Sequence, residues 1–482
     1  MIFVSALMMG LRYHGMMAWA IEKASVVAIG KSPLPFPDSV PQFSLSDFGS
    51  LRLFSIMMKR LLPIVVLLAA SMLAKAAPDS WPAWRGDSLG SGKTEASGLP
   101  TGWGEDKNVV WRAELPEPGN STPVVFGDRI FVTQPDSSNK SRNLFCFDRK
   151  SGDLLWEKGV VYEKDERTHR TNHYCSASPA VEEGRVVVSF GSAGLFCYDL
   201  EGNELWKRDF GAIDHVWGNS TSPVLIDDLV IHYHGPAKNA VLYALDKKTG
   251  ETVWKWEEPV WKPTERTDGF KERPAQGVIG AFSTPILVET SERRELIMSF
   301  PIEMKAFEPA TGEVLWTANG LNPLIYTSPV YDDGVVVAMG GYYGNSIGVK
   351  VGGNGEVTES HRLWQEVRHN GGIGSGVAKG GKLYYQDAGG VVYCDDMKTG
   401  KTIWKDRLPG AGKSWGSFVL AGDMIYTLSQ AGDSVVFRAS TDGFELIGQG
   451  DLKEETNSSI AVAGQDLYVR THEALWCIRK QD

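Results

Sequence analysis

Cysteine is scarce in this chain, with 5 among 482 residues and none at the paired spacing of a zinc site. Positive charge is also short. Lys and Arg number 49 against 59 Asp and Glu, a net charge of −10, which argues against a nucleic-acid partner because phosphate recognition wants a basic surface. Carboxylates such as Asp165, Asp214 and Glu455 are scattered rather than paired, so no acid/base couple is legible and no catalytic residue is assigned. Neutral imidazoles suit zinc or copper. However, His169, His173, His215 and His369 are spread over separate loops, and no metal is expected there. What remains is an ordinary globular composition, 42% hydrophobic and 22% charged, with a high count of 16 tryptophans.

Tryptophan marks a repeat. The segment Tyr243–Trp254, YALDKKTGETVW, reads as a strand, a tight turn and a return strand. Asp246 can bond the turn backbone and Gly250 can take a positive φ without steric cost. Copies occur at Phe145–Trp156, Phe196–Trp206, Lys305–Trp316 and Tyr393–Trp404, with degraded copies ending at Trp364 and near Leu446. Each follows a Ser/Thr-x-Pro or Ser-rich start and a β run, such as Ser121–Val132. The anchors Trp111, Trp156, Trp206, Trp254, Trp316, Trp364 and Trp404 lie 45, 50, 48, 62, 48 and 40 residues apart, the period of a four-stranded propeller blade. Counting closing strands predicts an all-β, eight-bladed β-propeller of antiparallel blades. The chain's end supplies three strands, and residues 108–112 offer the missing fourth, so the ring is expected to close by pairing the first strand with the last blade. The tryptophans are expected to wedge between blades as structural anchors.

Four organisational segments are expected. Residues 1–57 lack the repeat and read as a disordered upstream extension that is not part of the native product. Residues 58–76 have a basic start, a short apolar core and an Ala74-x-Ala76 pattern, the parts of a cleavable signal peptide. That places the true start at Met57 or Met58 and the mature protein in the periplasm or outside the cell. No Cys follows the apolar core, so lipid attachment there is not indicated, and no transmembrane segment is expected after cleavage. Residues 77–105, with Trp81, Trp84 and Trp103, read as an arm packed on the ring, and residues 106–482 as the propeller. Cys146, Cys197, Cys394 and Cys477 share one repeat position, out of disulfide reach of each other, and are expected to be small buried hydrophobes. Cys175, in a loop, is the thiol worth testing.

The Ala/Cys-x-Asp-x-x-Thr-Gly-x-x-x-Trp repeat resembles that of the pyrroloquinoline quinone (PQQ) repeat propellers. The leader Trp81-Pro-x-Trp-Arg-Gly86 resembles a secreted bacterial branch of that family. The resemblance covers roughly residues 81–480 and implies the eight-bladed fold. It implies two alternative functions, since one fold hosts many sites. Quinoprotein dehydrogenases hold PQQ and calcium in the channel with an Asp base; BamB-like propellers are docking platforms without catalysis. This chain departs from the dehydrogenases in lacking adjacent cysteines, a Cys-x-x-Cys-His haem site and long insertions. It departs from BamB in lacking the anchoring Cys.

The loops leading into each innermost strand should converge on one channel mouth. They supply Arg170, His173, His215, Trp217, Tyr326, His369, Asn370, Trp415 and Asn457 as candidate binding residues, although such groups also cap strands and satisfy backbone. The insertion between Trp254 and Ser283 is expected to loop over one face. The expected function is an exported monomeric scaffold that binds a protein, small-molecule or carbohydrate ligand at one face, without catalysis and without an assigned cofactor. The alternatives are a PQQ- and calcium-dependent oxidoreductase and a carbohydrate- or polymer-binding module.

Overall fold

The computed structural model describes residues 79–87, 89–237, 239–261, 266, 278–369, 371–410 and 412–481. The expected upstream extension, the signal peptide, Asn370 and most of the 254–283 insertion lie outside them. Eight antiparallel four-stranded blades form a propeller. Blade 1 runs from hub to rim through Val124–Phe126, Arg129–Asp136, Ser141–Asp148 and Leu154–Val161. Blades 2 to 7 repeat that order from Ala180–Glu182, Val224–Ile226, Ile286–Glu289, Val330–Asp332, Val377–Lys379 and Val419–Ala421. Blade 8 takes Ala461–Ala463, Asp466–Arg470 and Ala474–Arg479 from the chain's end and Val109–Glu114 from near its beginning. Those last two strands pair antiparallel, which closes the ring as expected and removes an open sheet edge.

Burial follows from position in the blade. The second strands are nearly all buried and third strands such as Val241–Asp246 are buried or half-buried throughout, whereas outermost strands such as Thr252–Glu257 keep polar side chains in water. The repeated turn has a physical reason for each residue. Asp246 Oδ1 accepts the N–H groups of Lys248 and Thr249 at 2.9 and 2.8 Å. Gly250 has φ +70°, and a Cβ there would lie 2.6 Å from the Trp206 ring of the preceding blade. Glycine is therefore needed twice, for the turn and for the indole lying on it. Each anchor indole donates Nε1–H across the blade boundary: Trp206 to Lys247 O at 2.9 Å, Trp254 to Pro309 O at 2.9 Å and Trp364 to Met397 O at 2.7 Å. Trp111, Trp156 and Trp404 do the same. A β-bulge interrupts the register beside the anchor position in all eight blades.

Two blades depart from the rule. Trp316 donates to Glu295 Oε2 of its own blade at 2.8 Å, because blade 5 has no Asp-x-x-Thr-Gly turn to receive it. There the chain instead inserts Gly355–Glu356, which pairs parallel with Val314–Asn319. Blade 7 has no tryptophan on its outer strand, and Trp103 of the arm is buried against Gly450. All five cysteines are free and buried, Cys175 included.

Candidate functional site: a blind pocket in the propeller channel

Every blade enters its innermost strand through a serine or threonine, and these eight hydroxyls close a ring around the channel. The N–H of Thr122 donates to Ser178 Oγ, Ser178 to Ser222, Ser222 to Thr284 and Thr284 to Ser328, at 2.8–3.2 Å. Ser328 then donates to Ser375, Ser375 to Ser417, Ser417 to Ser459, and Ser459 back to Thr122, at 2.9–3.2 Å. The hydroxyl stands directly before proline in blades 1 to 5, which is the physical content of the Ser/Thr-x-Pro cue. Each hydroxyl satisfies the first N–H of the neighbouring blade, which has no sheet partner on the channel side.

Two residues before each hydroxyl, a second tier forms a collar. Reading from blade 8 through blades 1, 2 and 3, its side chains are Asn457, Asn120, Ser176 and Ser220; blades 4 to 7 supply Phe282, Tyr326, Ile373 and Trp415. One half of the mouth is therefore polar and the other aromatic and aliphatic. Phe282 and Tyr326 are parallel with centroids 6.2 Å apart, Trp217 stacks on Tyr326 at 6.2 Å, and Tyr342 meets Tyr326 edge-on at 5.7 Å. On the polar side, Asn120 Nδ2 donates to Thr171 O at 3.0 Å, Asn172 Nδ2 to Trp217 O at 2.6 Å, and Gln430 Nε2 to Asn457 Oδ1 at 2.6 Å.

The opposite end of the channel is closed by the arm. Trp81 bridges Val125 of blade 1, and Lys93–Thr94 adds a parallel strand to Val419–Ala421 of blade 7. Lys93 Nζ reaches Asp332 of blade 5 at 2.9 Å. Between these points Arg85 is 2% exposed, with its guanidinium donating to Gly90 O, Ser91 O, Ser375 O and Gly376 O. Burial pulls its pKa down to about 10. The preceding indole, Trp84, forms the floor of the pocket. The channel thus becomes a blind cavity of about 290 Å³.

Of the sequence-proposed residues, Trp217, Tyr326, Trp415 and Asn457 line this cavity. His215 backs the aromatic wall, edge-on to Phe282 at 5.4 Å, and burial depresses its pKa to about 4. His173 lies outside the pocket against His472, with burial lowering its pKa, and Arg170 is exposed. His369 belongs to a buried chain, Ser346 Oγ to Nδ1 at 2.7 Å and Nε2 to the Tyr385 hydroxyl at 2.6 Å, with Tyr385 donating to Asp395. Sequence reasoning missed Asn120, Ser176, Phe282, Ile373 and Trp84. A count of two back from each hydroxyl would have found the first four. Gly412 to Gly416 also spells a Gly-x-Ser-x-Gly pattern, but Ser414 Oγ donates to Leu428 O at 2.6 Å, is buried, and has no histidine bonded to it among the described residues.

The lining fails the test for the quinone of the fold family. PQQ is a tricarboxylate, and its calcium ion takes oxygen ligands that include carboxylates. Among the described residues, no Asp, Glu, Lys or Arg side chain lines the pocket. Among the described residues, no cluster of three or more His, Cys, Asp or Glu is placed to hold a metal. The pocket therefore offers neither the cations for the quinone nor the carboxylates for the calcium. The Cys175 thiol is buried, and desolvation pushes its pKa up to about 12, which disfavours the thiolate.

Known proteins can now be set beside this geometry. A 259-residue stretch is 24% identical to the tetrathionate hydrolase of Acidithiobacillus ferrooxidans, covering 46% of this chain and 47% of that one. The chain thus matches about half the length of that curated relative. The quinohemoprotein alcohol dehydrogenase of Comamonas testosteroni superposes with a TM-score of 0.60 at 13% identity, over 84% of this chain and 81% of that one. BamB of Moraxella catarrhalis superposes with a TM-score of 0.53 at 14% identity, over 78% and 98%. At such identities these two likenesses are of fold alone. The family model for the outer membrane protein assembly factor BamB matches residues 94–159, 137–256 and 303–480, well over half of the chain. This chain belongs to that PQQ-like propeller family.

Proposed function

We propose that the protein is an exported binding propeller, non-catalytic, whose ligand enters the blind pocket at the channel mouth. The observation that carries this is the described lining, which is amphipathic and carries no charged side chain among the described residues. A binding site needs an apolar surface with a few oriented polar groups, and the collar supplies both halves. Catalysis needs more. Among the described residues, His169 is the one histidine in the lining; its Nδ1 lies 2.8 Å from Thr171 Oγ1, and no described carboxylate is bonded to it. The oxidoreductase alternative loses support on the donor set, because quinone and calcium have no partners here. Export rests on the signal-like residues 58–76, and no helix among the described residues is long and apolar enough to cross a membrane.

The test is a tryptophan-fluorescence titration of the purified protein with PQQ and Ca²⁺, with melting temperature as a second readout. No saturable change is expected. Saturable binding with a raised melting temperature would overturn the non-catalytic reading and restore the oxidoreductase. N-terminal sequencing of secreted material checks export, with residue 77 as the expected start.

A further inference from the structure

We infer that the blind pocket takes a neutral carbohydrate, a single sugar ring or the terminal residue of a glycan. The inference rests on the reading of the pocket as a binding site and names what binds there. Charge comes first. With no Asp, Glu, Lys or Arg among the described lining residues, an ionic ligand would be taken out of water without a partner there. Uronic, sialic and amino sugars are excluded on this ground along with nucleotides and organic acids.

The two-sided collar then selects among neutral ligands. Four consecutive blades present Phe282, Tyr326, Ile373 and Trp415, and the other four present two asparagines and two serines. A pyranose ring has the same division: its C–H face is apolar and its rim carries hydroxyls. Flat indole and phenol surfaces suit that face, and short amide and hydroxyl groups suit the rim. The parallel Phe282 and Tyr326 rings give the wall a single orientation.

Unused hydrogen-bonding capacity points the same way. The oxygens of the hydroxyl ring accept main-chain N–H groups, and no described residue accepts their protons; seven of the eight hydroxyls line the pocket. Asn120 Oδ1 is buried without a donor. The site thus has free donors beside a free acceptor. A sugar hydroxyl is both in one group, so it can take a proton from serine and give its own to Asn120. A hydrocarbon would leave these groups buried and unpaired, the situation on which polar sites discriminate most strongly. The volume of about 290 Å³ lies at the lower end for small-molecule pockets, roughly 300–1,000 Å³, which suits one ring rather than a wrapped oligomer.

The experiment uses the full chain and a panel of neutral oligosaccharides from glucan, mannan, galactan and xylan. Polygalacturonate and chitosan serve as charged counterparts, and tryptophan- and proline-bearing peptides as a non-sugar arm. Tryptophan fluorescence and calorimetry read the binding. The expected result is saturable binding of at least one neutral sugar, unchanged between low and high salt. Trp415→Ala, with the melting temperature held, and Asn120→Ala, which also removes the hydrogen bonds to Thr171 O and Ser176 Oγ, should each weaken it by roughly tenfold or more, and Trp415→Phe should retain most of it. Binding of the charged glycans alone, or binding that salt abolishes, overturns the inference. If no sugar binds but a peptide does and Trp415→Ala removes it, the sugar is wrong and the binding pocket stands. If neither binds, or if Trp415→Ala changes nothing, both fall.

Discussion

The rim and the mouth of this propeller are made by the same repeat and behave in opposite ways. At the rim, one solution recurs: an indole lies on the turn glycine of the next blade and gives its N–H to a carbonyl there. At the mouth, the eight equivalent collar positions hold asparagine, serine, phenylalanine, tyrosine, isoleucine and tryptophan. The rim repeats because every blade boundary poses the same packing problem. The collar varies because its side chains line a cavity rather than fill one recurring packing slot, and an eightfold-uniform collar would have no polar and apolar side. Repetition marks what builds the ring, and departure from it marks where a ligand is told apart.

The largest test of this contrast removes a rim anchor. Trp316 is wholly buried, and Trp316→Ala should cost about 3–5 kcal/mol, read as a lowered melting temperature. A near-wild-type melting temperature would show this indole, which bonds to Glu295 of its own blade, to be dispensable. Next comes pH, which should act on stability. Glu258 is buried, accepts the Tyr233 hydroxyl at 2.5 Å, and burial pushes its pKa up to about 7. The folded state therefore holds this proton more tightly than the unfolded one. Its stabilising effect is complete below the ordinary carboxylate pKa and is lost as pH rises through about 7, on the order of a few kcal/mol. Glu258→Gln should flatten that part of the stability profile; an unchanged slope would assign it to another group.

A smaller effect is expected at the hydroxyl ring. Ser375→Ala strands the Ser328 N–H and should cost ~1–3 kcal/mol, whereas Ser375→Thr keeps the acceptor and should cost less. Equal melting temperatures for the two variants would deny the ring a role in holding blades together. The smallest stability change belongs to the collar. Trp415 is partly exposed at the pocket mouth, so Trp415→Ala should move stability by no more than about 1 kcal/mol. A collar variant that destabilised as strongly as Trp316→Ala would erase the distinction between rim and mouth.

Much of the rim was legible in the residues. Asp246, Gly250 and Trp254 act within a dozen positions of each other, so their spacing carries the signal, and the eightfold count and the closing strand followed from it. Trp217, Tyr326, Trp415 and Asn457 were legible as loop residues before innermost strands. Asn120, Ser176 and Phe282 become legible only once the hydroxyl ring fixes the position to count back from, because their types alone do not separate a side chain that faces the channel from one that caps a strand. Arg170, His173 and His369 share the composition of those loops yet lie outside the cavity, since a loop's side chains diverge once it is folded.

By itself, then, the sequence determined the blade, the number of blades and the way the ring closes, because these depend on turn chemistry and on a repeat period. Only the tertiary structure decided that the channel is blind and that its mouth has two unlike halves. The floor depends on Arg85 reaching carbonyls 290 and 291 residues away. The halves depend on which blades stand beside each other when strand 109–114 meets strand 474–479. Contacts of that separation leave no local pattern in a chain, and they exist only once the ring is shut.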